Sequence, residues 1–271
     1  NGGTTNSNIV TGEILEALTA VKTAVSANYS AGDRITYALS LVNTGTAAIT
    51  DYTVTDNLGG YTVGANTVYP LAYNAGTVRY YINGVLQTAP TVTAGPPLTV
   101  TGLTVPAGGS AVLIYETTAT PVAPLATGSS ITNTATITGG GLTNPITAQA
   151  TVETANSADL TISKALSPTT VTENGQITYT FVISNTGNTE ATATGNVVVT
   201  DTFAPILRNI AVTYNGTAWT EGTNYTYNAA TGVFTTLAGQ ITVPAATFTQ
   251  NTDGTFTVTP GTATLVITGT V

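Results

Sequence analysis

The segment ITYALSLVNTG at 35–45 returns as ITYTFVISNTG at 177–187, an offset of 142 with six identities. A duplication constrains the chain more than any single motif does. Each unit must fold on the same plan, and a residue kept at the same place in both has a shared task. Carried backwards, the offset pairs Lys22 in LTAVKTAVS with Lys164 in LTISKALSP. Carried forward past a three-residue insertion, it pairs Asp56 in YTVTDNL with Asp201 in VVVTDTF. Farther on, GSAVLIYETT at 109–118 matches GTATLVITGT at 261–270.

The repeated segments read as strands. Short alternating stretches at 34–42, 52–56, 77–82, 111–115 and 131–138 are separated by Gly, Asn and Pro clusters. The 63 Thr residues, with recurrent Val and Tyr, favour a pleated backbone over a helical one. Asn83-Gly84 after VRYYI is a hairpin signal, because both residues tolerate positive φ. Strands at this spacing, with long returns, predict an all-β chain of two tandem immunoglobulin-like Greek-key sandwiches. One segment reads both ways. In 13–25, Ile14, Leu15, Leu18, Val21 and Val25 fall near helical spacing, yet the strand-like surroundings of Lys164 favour a strand at Lys22.

Composition removes whole classes of function. The chain has no His, Cys or Met, which excludes Ser-His-Asp and Cys-His nucleophiles, soft-metal sites and disulfides. A net charge of −8 repels phosphate backbones, so nucleic acid is not an expected partner. No apolar run approaches the ~20 residues of a membrane helix. The chain begins at Asn rather than Met, as expected where a leader has been removed or the chain trimmed. Low charge, abundant Thr and absent thiols predict an extracellular, cell-surface protein with no metal and no cofactor.

The units differ at their ends. The first continues after Tyr115 into at least two more strands, including TNTATITG at 132–139, whereas the second stops after the match to AVLIYE. The expected domains are 13–156 and 157–271, the second lacking its closing strand, with 1–12 as an N-terminal extension. That extension contains TNSNIVTG at 5–12, which sets Asn6 opposite Asn133, Val10 opposite Ile137 and Gly12 opposite Gly139. The economical expectation is a donor strand that completes the second domain of a neighbouring copy, by β-strand addition.

Lys22 and Lys164 are the only lysines, each set among apolar residues. A Lys in the first strand, the ITY…NTG strand, VTD before a turn and NTATI in the closing strand together resemble the conserved repeat domains of bacterial and archaeal surface proteins and fimbrial shafts. Members of that group include isopeptide-forming domains. The resemblance implies that Lys and Asn side chains condense to an amide with an acid assisting: Lys22 with Asn133 and Asp56 in the first unit. The second unit has Lys164 and Asp201 but no NTA motif. Its expected acceptor is therefore intermolecular, Asn6 with Asn8 as fallback, since residues two apart on a strand share a face.

That chemistry suits these residue types. Burial lowers a lysine pKa and exposes a nucleophilic amine, and it raises a carboxyl pKa, so that a neighbouring acid can shuttle the proton to departing ammonia. Enforced proximity supplies the rest. The expected role is a structural subunit of a fimbria-like filament, a head-to-tail homopolymer attached to a cell surface or matrix, with no enzyme activity beyond autocatalytic bond formation. The alternative is a monomeric stalk or binding-module fragment of a larger adhesin or surface-layer protein. Weaker candidates are Asp51 with Asp56 as a glycosidase pair, Glu116 as an accessory acid, and Trp219 with Tyr214, Tyr225 and Tyr227 as a sugar platform; strand-end acids and core aromatics are the plainer explanations.

Overall fold

The computed structural model describes residues 17–271, and every regular element among them is a strand except one 3₁₀ turn at Ala193–Gly195. In the first repeat unit, Leu18–Ala24, Arg34–Asn43, Ser110–Ala119, Arg79–Ile82 and Val85–Leu86 form one sheet in that order, with Leu71–Tyr73 also on Ser110–Ala119. A second sheet runs Thr91–Thr93, Leu98–Val105, Ile49–Asp56, Ser130–Gly139, Ile146–Thr154 and Asn28–Tyr29. The chain crosses between the sheets after Asn43 and after Ala119, as a Greek key requires.

Period-two alternation decides what is buried. Ile35, Tyr37, Leu39 and Leu41 from the first sheet meet Tyr52, Val54, Ile131, Ala135 and Ile137 from the second in one apolar cluster. The strand Leu18–Ala24 pairs antiparallel with Arg34–Asn43, which places Lys22 beside Leu39. The helical spacing noted over 13–25 is therefore incidental from Leu18 onward; residues 13–16 lie outside the described residues, as do Asn6, Asn8 and the whole of 1–12.

In the second unit, Leu160–Ser167, Gln176–Asn185, Gly261–Thr270, Arg208–Tyr214 and Thr217–Trp219 make the counterpart of the first sheet. Facing it is a smaller sheet of Thr200–Thr202, Val233–Thr236 and Tyr225–Asn228. Among the described residues no strand pairs with the other edge of Thr200–Thr202, where the first unit carries Ser130–Gly139 beside Ile49–Asp56. A separate apolar cluster, containing Tyr179, Phe181, Phe203, Phe234, Leu265 and Ile267, fills this unit.

The repeated NTG has one local cause. Asn43 Nδ2 donates to the carbonyls of Ala47 (2.9 Å) and Pro106 (3.0 Å) while its Oδ1 accepts from the Gly45 N–H (2.9 Å). Asn185 repeats the set with Thr189 (2.8 Å), Pro244 (3.0 Å) and Gly187 (2.9 Å). Each asparagine is buried and satisfies turn groups that the sheets leave unpaired.

Among the described residues, contacts at two places join the units. Asn188 Nδ2 donates to the carbonyls of Leu125 and Ala155, both at 2.9 Å, and its Oδ1 accepts from the Ser157 N–H at 3.0 Å. Away from this point, the hairpin of Thr247–Gln250 and Phe256–Thr259 leans on the first unit. Gln250 donates to the Tyr61 hydroxyl at 2.9 Å, and Gly254 sits so close to Val68 that a Cβ there would come within 2.8 Å.

Candidate functional site

Lys22 reaches the interior because alternation turns Leu18, Ala20, Lys22 and Ala24 inward, while Thr19, Val21 and Thr23 face solvent. Ile146–Thr154 packs over this strand from the opposite sheet, presenting the small side chains of Ala148 and Ala150. The small residues leave room for a long side chain to lie across the core. Its ammonium ends 2.5 Å from Asp56 Oδ2, with both side chains at or below 1% exposure. Burial holds the Lys22 pKa down to about 8, against the opposing pull of the Asp56 carboxylate.

Asp56 is the last residue of Ile49–Asp56 and is fixed from three directions. Lys22 and the Tyr115 hydroxyl both donate to Oδ2, and the Leu58 N–H donates to Oδ1 at 2.9 Å. Asn57 ties the same turn to the neighbouring strand, its Oδ1 accepting from the Thr134 N–H at 2.9 Å and its own N–H donating to the Thr134 carbonyl at 3.0 Å. That strand carries Asn133. Ala135 stands directly opposite Asp56 in the ladder, and Asn133 is two residues away on the same inward face. Asn133 is 0% exposed, yet among the described residues neither its Oδ1 nor its Nδ2 makes a well-formed hydrogen bond, although the Tyr37 and Tyr115 hydroxyls lie nearby. Leaving such a carboxamide unpaired costs about 1–3 kcal/mol per group, so it requires an explanation.

The structure thus brings Lys22, Asp56 and Asn133 into one buried spot. It adds two residues that sequence reasoning missed. The Tyr37 ring lies 4.8 Å and the Tyr115 ring 5.9 Å from Lys22 Nζ, and the two rings stack at 5.8 Å. Both were visible as inward positions of repeated strands, the Tyr of ITY and the Tyr of AVLIYE.

In the second unit Lys164 pairs with Asp201, and its ammonium lies 4.5 Å from the Tyr179 ring and 5.6 Å from that of Phe203. The surroundings differ. The Lys164 side chain is 39% and that of Asp201 19% exposed, and nothing described covers Ile162 or Leu166, the neighbours of Lys164 on its inward face. The proposed partners of this pair, Asn6 and Asn8, fall outside the described residues.

The weaker candidates resolve against function. Asp51 is exposed with φ of 57° while Asp56 is buried, so the two do not flank a cleft. Glu116 points outward to Arg34 at 3.4 Å, away from Asn133. Trp219 stacks on Tyr214 at 4.8 Å, and Tyr225 and Tyr227 pack on Phe234 and Phe203, so these aromatics are spent on packing.

Neither a protein-family model nor a curated protein matches this chain. Among solved structures, a variant of the major pilin subunit of Bacillus cereus aligns with a TM-score of 0.41 and 14% identity, over 90% of this chain and 65% of that one. A C-terminal fragment of a major pilin of Streptococcus agalactiae aligns with 0.37 and 12%, over 58% and 66%. The N-terminal domain of a Streptococcus gordonii adhesin gives 0.37 and 14%, over 50% and 32%. The chain therefore spans less than two thirds of the length of these proteins. Likeness at this level concerns strand architecture, and the reading of the site rests on its own residues.

Proposed function

We propose that the chain is a structural subunit of an extracellular, fimbria-like filament whose first unit is stapled by a Lys22–Asn133 amide. The observation that carries the reading is the buried Lys22–Asp56 pair set beside an asparagine whose carboxamide has no other use. Burial disfavours the Lys22 ammonium, and the 2.5 Å contact gives its proton a path to Asp56. Lys22 then presents a neutral amine and Asp56 a carboxylic acid. Nζ attacks Cγ of Asn133, the Cγ–Nδ2 bond breaks, and Asp56 delivers a proton to the leaving nitrogen and takes one back from Nζ. One amide forms, one ammonia departs, and no oxidant or cofactor is consumed.

Head-to-tail assembly extends the same logic, with 13–156 and 157–271 as the two domains. The edge of Thr200–Thr202 that no described strand covers, and the exposed Ile162, Lys164 and Leu166, suit a strand from a second copy. Residues 1–12 carry the sequence most like Ser130–Gly139. If Asn6 takes the place of Asn133, Asn8 stands where Ala135 does, opposite Asp201, so both asparagines face Lys164. The contact is heterologous and propagates into a fibre unless a ring closes.

Intact mass tests the staple: a loss of about 17 Da, with Lys22 and Asn133 in one cross-linked peptide, is expected. An unchanged mass with Lys22 free in a tryptic digest overturns it. Size under non-denaturing conditions tests assembly. Ladders support a subunit, and monomers support the stalk or binding-module alternative.

A further inference from the structure

Tyr37 and Tyr115 face each other in the ladder between Arg34–Asn43 and Ser110–Ala119, and both are at most 1% exposed. Their hydroxyls have different employment. Tyr115 donates to Asp56 Oδ2, the oxygen that Lys22 also meets. Among the described residues the Tyr37 hydroxyl makes no well-formed hydrogen bond; it and the Tyr115 hydroxyl both lie beside the Asn133 carboxamide, whose own two polar atoms make none either, so Tyr37 is the phenol left free to serve it. Three unpaired polar atoms thus share one dry pocket. Burial pushes both phenol pKa values up, so both hydroxyls keep their protons and remain donors over the whole range in which Lys22 titrates.

Attack of an amine on a carboxamide places negative charge on the carboxamide oxygen. A donor already aimed there, in a site without bulk water, stabilises the transition state and costs no reorganisation. We propose that Tyr37 is a catalytic residue of the amide-forming step, its hydroxyl donating to Asn133 Oδ1 as that atom becomes an oxyanion, and that Tyr115 is the positioning residue that holds Asp56. The inference rests on the Lys22–Asn133 amide proposed above. In the step, Lys22 Nζ bonds to Cγ and the carbonyl π electrons move to Oδ1. Tyr37 holds that charge by a hydrogen bond and keeps its proton. The carbonyl then re-forms, the Cγ–Nδ2 bond breaks, and Nδ2 leaves as ammonia with the proton from Asp56, which recovers one from Nζ.

The repeat sharpens the assignment. Tyr179 in the second unit occupies the place of Tyr37, while the place of Tyr115 is taken by Ile267. The second unit therefore keeps the oxyanion donor and lacks the group that steadies the acid.

The test is time-resolved intact mass of the full chain made by cell-free synthesis, at a series of pH values, for the wild type, Tyr37→Phe and Tyr115→Phe. Tyr37→Phe is expected to slow the loss of ammonia about 100-fold without moving the pH profile. Tyr115→Phe is expected to slow it less and to displace the profile, because the Asp56 oxygen that Lys22 faces then loses one of its two donors. A site-specific 3-fluorotyrosine at position 37, which preserves shape and strengthens the donor, should change the rate without changing the melting temperature. Wild-type rates in both position-37 variants overturn the role of Tyr37, and an unmoved profile in Tyr115→Phe overturns that of Tyr115. A wild type that never loses ammonia overturns the amide itself, and this inference with it.

Discussion

Lys22 and Lys164 occupy the same register of equivalent strands, each beside a tyrosine ring and an aspartate, and they differ in what lies above them. Over Lys22, Ser130–Gly139 and Ile146–Thr154 complete the opposite sheet; over Lys164 no described strand does so. One side chain is sealed and its pKa is driven down, whereas the other is 39% exposed. The strand that carries a lysine therefore fixes where its amine points. The facing sheet decides whether that amine is sealed from water or open to it.

Deleting residues 1–12 is the most drastic way to test the contrast. It should abolish assembly and give monomers whose second unit aggregates through its open edge, while the first unit still loses ammonia. Filaments formed by the truncated chain, seen by electron microscopy, would refute strand donation. In the first unit, Asp56→Ala should leave Lys22 buried without its acid and the amide unmade. The stranded charge costs about 3–5 kcal/mol. The missing cross-link, which closes a loop of roughly a hundred residues, costs about as much again on the chain-entropy account used for disulfides. Denaturant melts and intact mass measure the two effects separately.

The pH response is smaller and has a definite sign. In Asn133→Ala, Lys22 cannot react, and its folded pKa of about 8 lies below the ordinary 10.5. Between about pH 7.5 and 9, below the range in which tyrosines titrate, the unfolded chain binds more protons through Lys22 than the folded one. Stability should therefore rise with pH there, by of order 1 kcal/mol, and stay flat below it; above about pH 9.5 the buried phenols, whose pKa values burial raises, reverse the slope. A denaturation midpoint that does not rise between pH 7 and 9 would show that Lys22 is not desolvated. The smallest effect belongs to the second unit. Asp201→Ala removes only a solvent-accessible ion pair in the free subunit and should change its stability by less than about 1 kcal/mol. A loss matching that of Asp56→Ala would erase the distinction between the sites. Assembled material should also survive high salt, since strand pairing and burial are little screened.

The fold and the lysine register were legible because a period-two pattern and a duplication both survive in one sequence. The strand at Lys22 followed from its repeat partner, although the spacing of Leu18, Val21 and Val25 imitated a helix; Val21 and Val25 proved to be exposed. The task of Asn43 and Asn185 was hidden, since NTG marks the repeat without saying which carbonyls it satisfies. Tyr115 could be read as an inward position, but its task was hidden for another reason. Its hydroxyl meets Asp56 across the sandwich, between residues 59 apart in sequence, and no local pattern encodes that distance. Glu116, adjacent to it, was suggested by charge alone and points to the opposite side of the sheet.

The leaning hairpin of Thr247–Gln250 and Phe256–Thr259 has a mechanical consequence. The backbone alone would join the units as a hinge at Asn156–Ser157. The bonds of Asn188 at one point and the Gln250–Tyr61 contact at another make a brace with a lever arm. Bending the joint in the plane of that brace must stretch one attachment while compressing the other. A single strand would resist only tension; two separated attachments also resist torque, so a lateral load on one unit of the chain is felt by the other.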